Sequence, residues 1–143
     1  MTDNKKMGAG LILNVITVVV TAAALMLYMQ NCKTNYFSNM GVNNTVVGCL
    51  AASVVLEILM IVLSMKMGAK PVLDVIPVAC GVMTALAAIQ FIGSRIAGAA
   101  SIMTFENNAE NMADLTGAIR AMAVCVAALV CVMLTSFFKV VKE

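Results

Sequence analysis

The sequence predicts an all-α membrane protein: an antiparallel up-down bundle of four transmembrane helices, with both termini cytoplasmic and the fourth helix extended on the outer side. Three observations carry this expectation. Of 143 residues, 62% are apolar and 11% charged, with a mean hydropathy of +1.01, whereas a water-soluble domain keeps roughly a quarter of its residues charged. The apolar residues fall into four long runs, each near the 20 or so residues that a helix needs to cross the hydrocarbon core. The charges lie at the edges of these runs or between them, with Glu57 as the exception.

The runs span about residues 7–29, 46–65, 72–92 and 117–138, in a single transmembrane domain. None alternates polar and apolar residues at every second position, so membrane strands are excluded. Lys5 and Lys6 ahead of the first run, and the small residues Ala22 to Ala24 within it, resemble a secretory signal. A signal's apolar core is shorter, about 7 to 15 residues, and this run continues to Tyr28, so it reads as a retained span.

Orientation follows from lysine and arginine, which resist translocation. Lys5, Lys6, Lys66, Lys70, Lys139 and Lys142 fall on the side of the termini and the second loop, against Lys33, Arg95 and Arg120 on the other. That asymmetry predicts a multi-pass protein of the cell (inner) membrane with both ends inside. The short connection around Lys66 to Lys70 makes the second and third helices antiparallel neighbours. The outer loops read as longer, and Tyr36 and Phe37 in the first of them suit the headgroup level.

In the second outer loop, Asn107-Asn108-Ala109-Glu110 has the character of a helix start, where an amide side chain caps exposed N–H groups. A helix beginning there projects beyond the membrane by roughly 12 to 15 Å before entering the fourth span. Glu106, Glu110 and Asp114 then ring its first turns, favoured by the helix dipole. A divalent-cation site is the sharper alternative for this acidic cluster.

Each span carries a stripe of small or polar residues at spacings of three and four, which keeps one face toward partner helices. The stripes are Gly10, Asn14, Thr17, Thr21, Ala24 and Tyr28 in the first span, and Cys49, Ser53, Glu57, Met60 and Ser64 in the second. In the third they are Asp74, Pro77, Gly81, Thr84 and Ala88, and in the fourth Gly117, Ala121, Val124, Ala128, Cys131 and Thr135. Pro77, inside the third span, is expected to kink it.

Glu57 is the candidate residue of interest, because an acid deep in hydrocarbon costs about 2.5 to 3.5 kcal/mol on insertion scales. Counting 1.5 Å per residue from Lys66 places Glu57 about 13 Å deep, and counting from Lys6 places Asn14 about 12 Å deep. The shared depth predicts a hydrogen bond between the two side chains.

Histidine is absent, and no two of the five cysteines stand at CxxC spacing, which removes the commonest base, the commonest metal ligand and the dithiol motif. Neither metal nor cofactor is expected. Cys32 and Cys49 both fall near the outer surface, where a disulfide is possible in an oxidising compartment. The charge of +2 is too small and scattered for nucleic acid.

The stretches Tyr36 to Val42 and Ala100 to Asn108, with the closing Ser136 to Glu143, resemble uncharacterised small four-helix membrane proteins of bacteria. The resemblance implies a bacterial inner-membrane location and no particular activity. With no nucleophile–base spacing, an enzyme is not expected. The leading expectation is a non-enzymatic accessory or assembly subunit of a membrane complex, its partners being membrane lipids and a larger membrane protein or further copies of itself. The alternative is an oligomeric transporter or channel subunit that uses Glu57.

Overall fold

A computed structural model describes residues 6–68 and 70–142. Lys5, one of the basic residues used to orient the chain, lies outside the described residues. Four long helices dominate: α1 (Ala9–Asn31), α2 (Asn44–Met67), α3 (Val75–Thr104) and α4 (Ala109–Thr135). Each is long and apolar enough to cross a membrane, and within a helix every backbone group except those at the ends is paired internally, as the bilayer requires.

Local chemistry sets the helix ends. Asn43 caps α2, its side chain accepting from the Thr45 N–H at 2.9 Å, and Gly68 closes the helix with φ +77°, a conformation that favours glycine. Asn108 caps α4, accepting from the Asn111 N–H at 2.8 Å, so the helix start read from the Asn107–Glu110 stretch is present. A 3₁₀ turn at Pro71–Asp74 leads into α3.

Two expectations about these elements need correction, and one feature is additional. The third helix does not stop near residue 92 but continues to Thr104, which reduces the outer connection to residues 105–108. Both α3 and α4 therefore project beyond the other two helices. Pro77 sits in the first turn of α3, where the N–H that proline lacks would have had no intrahelical partner, so no kink is called for. Finally, the chain leaves α4 at Thr135, and Val141–Lys142 then pairs antiparallel with Lys6–Met7, Lys142 opposite Lys6.

The helices form a ring in chain order, α1 packing against α2 and α4, and α3 against α2 and α4. The outward faces carry apolar residues such as Ile12, Val19, Val55, Ile89 and Val130, which suits lipid. Every residue of the stripes predicted on α1 and α2 is buried. On α3 the interior stripe runs Pro77, Cys80, Thr84, Ala88, Phe91, Arg95, Gly98 and Ile102, while Asp74 is exposed. On α4 it is Leu115, Ala118, Ala121, Cys125, Ala128, Val132 and Thr135.

At the end that holds the paired strands, α1 meets the chain after α4 so closely that glycine is needed. The Gly8 N–H donates to the Val140 carbonyl at 3.0 Å, and a Cβ on Gly8 would stand 2.6 Å from the Lys139 carbonyl oxygen. A Cβ on Gly10 would overlap the same carbonyl group. Backbone hydrogen bonding thus brings residues 6–10 and 138–142 together.

Candidate functional site

The bundle interior is polar in its lower half, near the strand end, with an apolar layer above it. Asn14, Thr17, Thr21, Ser53, Glu57, Ser64, Thr84 and Thr135 are all buried. Most of these groups are satisfied within their own helix: Thr17 donates to the Leu13 carbonyl at 2.7 Å, Thr21 to Thr17 at 2.8 Å and Thr84 to Cys80 at 2.7 Å. Between helices, the Ser53 and Thr84 hydroxyls lie 3.1 Å apart. Above them, Ala24, Leu50, Ala87, Ala88, Phe91, Ala121, Cys125 and Ala128 close the interior with an apolar layer.

Glu57 is 3% exposed. Its Oε1 receives a long contact of 3.4 Å from the Thr21 hydroxyl, whose shorter hydrogen bond goes to Thr17, and its Oε2 has no partner. The expected bond with Asn14 is not formed; the Asn14 amide donates instead to the Gly10 carbonyl at 2.8 Å. The reason is where α1 begins. Depth counted from Lys6 includes residues that are not helical, so Asn14 is only about 8 Å along α1, whereas Thr21 at about 18 Å lies near the level of Glu57, about 15 Å from the end of α2. An open cleft of about 310 Å³ reaches into the strand end, lined among others by Met60, Ser64, Lys70, Asp74 and Thr135.

At the opposite, distal end the segment between α1 and α2 folds over the bundle as a cap. Phe37, expected at the headgroup level, is fully buried against Ile102, Leu115 and Ala118. Gly98 of α3 makes room for the cap: a Cβ there would lie 3.1 to 3.2 Å from Tyr36, Phe37 and Met40. The acids of α4 hold it. Asn35 donates its amide to the Glu110 carboxylate, and the Tyr36 N–H donates to Asp114 Oδ2 at 3.0 Å. Glu106 offers its backbone carbonyl to the Asn111 side chain at 3.0 Å. Among the described residues, no group of three metal-ligating side chains is placed to hold a metal ion.

Because Asp114 fixes a backbone N–H of the cap, replacing it by Ala should loosen the cap alone. We expect amide exchange over residues 34–40 to speed up by about tenfold or more, as loss of a hydrogen bond to a charged group of about 1.5 to 3 kcal/mol implies. Exchange in the helix interiors should stay unchanged; equal acceleration throughout would show that the contact secures the whole bundle instead.

Beneath the cap lies a residue that the sequence marked only as one of the cations on the outer side. Arg95 is 1% exposed, the largest fully buried side chain among the described residues. Its Nε donates to Asn31 Oδ1 at 2.9 Å, its Nη2 to Cys32 Sγ at 3.3 Å, and its Nη1 to Ser94 Oγ at 3.4 Å and Met40 Sδ at 3.6 Å. The guanidinium carbon lies 5.0 Å from the Phe37 ring centre, 5.6 Å from Phe91 and 5.8 Å from Tyr28. The Tyr28 hydroxyl accepts from the Asn43 N–H at 2.8 Å. The possible disulfide is absent: Cys32 and Cys49 are both buried free thiols, Cys32 bonded to the arginine.

Arg95, Tyr28, Asn31 and Thr21 thus outweigh Asn14 in the buried polar structure. A signal for Arg95 existed, since it continues the α3 stripe from Thr84 through Ala88 and Phe91 at spacings of three and four. The positive charge masked it.

Fold and site together define a multi-pass helical membrane protein with a buried acid in its lower half and a buried arginine under a capped distal end. No family model matches the chain, and neither a curated protein nor a solved structure matches it either.

Proposed function

We propose that this chain is a non-enzymatic accessory or assembly subunit of a membrane complex, seated in the inner membrane of a bacterial cell with both termini in the cytoplasm. The observation that carries the reading is the cap. Residues 35–43 are tied to α1 and α4 through Asn35, Tyr36 and Asn43, which gives the distal end a fixed polar relief suited to recognition. The apolar layer between Glu57 and Arg95 argues in the same direction, because it leaves one copy without an aqueous path. The test is extraction in mild detergent. We expect the chain to migrate in fixed ratio with a second membrane polypeptide, and the complex to be lost when Asp114→Ala releases the cap; a lone monomer in both cases would overturn the reading.

A second reading rests on Glu57. Its unpartnered oxygen, one helical turn from Met60, which lines the cleft at the strand end, is what a transporter subunit loading from one side would need. Proteoliposome flux abolished by Glu57→Gln would favour it, and flux that is absent or unchanged by the substitution would remove it.

A further inference from the structure

Arg95 is a buried cation that no carboxylate among the described residues pairs with. Of the acids at its end of the bundle, Glu110 bonds to Asn35, Asp114 bonds to the Tyr36 N–H, and Glu106 is exposed. A guanidinium presents five N–H hydrogens and no acceptor. One of them reaches a good acceptor, Asn31 Oδ1, while the Nη1 and Nη2 contacts are two sulfurs and a hydroxyl at 3.3 to 3.6 Å. Sulfur is a weak acceptor. Three aromatic faces offset part of the charge, at about 0.5 to 2 kcal/mol each, and leave this hydrogen-bond deficit in place.

The deficit extends to Asn31. Because Arg95 can only donate, the Asn31 amide must turn its oxygen to the guanidinium, and its Nδ2 is left buried without a partner. Two adjacent buried side chains therefore have N–H groups to spare. Arg95 lines an open cleft of about 490 Å³ with Tyr28, Met40, Gly41, Val42, Asn43 and Ser94, and Met40 and Ser94 are the two partners of its Nη1. Depth identifies what reaches that cleft. Arg95 follows Val75, the first residue of α3, by 20 residues, or about 30 Å of helix, one hydrocarbon thickness. With Val75 taken as the near boundary, the cleft falls at the distal boundary of the membrane, with the exposed Met40 and Val42 flanking it as apolar neighbours.

We propose that the cleft beside Arg95 binds a phosphate-bearing anion, the guanidinium donating to its oxygens. At that depth the expected source is the headgroup of an anionic phospholipid, and a soluble phosphate ester has the same chemistry. The site is independent of the accessory reading, since neither partner contact nor flux enters it.

The purified full chain in delipidated mild detergent is titrated with phosphatidylglycerol, phosphatidylcholine and inorganic phosphate, with bound probe read by native mass spectrometry and midpoint of thermal unfolding. We expect phosphatidylglycerol to be retained and to raise the midpoint, with at least about tenfold weaker binding in Arg95→Gln, the change expected when charge-assisted hydrogen bonds are lost. Met40→Glu covers the case in which Arg95→Gln fails to fold. It places a carboxylate beside Nη1, so it should raise the midpoint without lipid and abolish retention. Competition by inorganic phosphate would assign the site to a soluble phosphate. Failure of wild type to retain any of the three probes, or equal retention by wild type and Met40→Glu, would overturn the proposal.

Discussion

Replacing Gly10 by Leu should unfold the strand end of the bundle. A Cβ at this position overlaps the Lys139 carbonyl, and the carbonyl of Phe138 lies only 2.8 Å away. These are backbone atoms held by the pairing of residues 6–7 with 141–142, so no side chain can swing aside to relieve the clash. Overpacking of this kind costs about 1 to 3 kcal/mol or more, and loss of the strand pairing would add to it. Equilibrium unfolding in bicelles measures the change. Gly48, Gly93 and Gly117 serve as controls, because a Cβ on any of them meets nothing within 4 Å; Ala at these positions should be neutral or stabilising by up to about 1 kcal/mol. If Gly10→Leu behaved like the controls, the close approach of α1 to the chain after α4 would be wrong.

Glu57→Met should stabilise the protein. Methionine has nearly the shape of glutamate without its polar oxygens, and Thr21 keeps its shorter bond to the Thr17 carbonyl when the carboxyl is gone. The unpartnered Oε2 is a buried polar group of the kind whose desolvation costs about 1 to 3 kcal/mol, so a gain of that order is expected. Thermal unfolding in mild detergent reads it. A gain would mean that the acid is held against the interest of stability, as groups kept for function are. A loss of similar size would make Glu57 a structural member of the bundle and weaken the transport reading.

These two positions also mark how far the residues alone could be read. The stripe on α1 from Gly10 to Tyr28 was visible as small and polar residues at helical spacing, and all of it is buried. Why Gly10 must be glycine was not visible, because the atoms it meets lie about 130 residues away in the chain. Glu57 stood out by its charge, but its neighbour depends on the axial offset between α1 and α2. That offset is set by where α1 begins, three residues after Lys6.

Hydropathy and helical period by themselves determined that this chain has four helices long and apolar enough to cross a membrane, which faces of α1 and α2 turn inward and where α4 is capped, because these properties depend on residues within a few turns of one another. Tertiary structure alone decided that Arg95 is buried under three aromatic rings, that Phe37 plugs the distal end rather than facing lipid, that the Glu110 and Asp114 carboxylates are taken up by the cap, and that Cys32 meets the arginine instead of Cys49. Each of those outcomes depends on how the loop from Cys32 to Asn43 crosses the bundle. A path that returns over distant helices leaves no periodic trace in the residues that follow it.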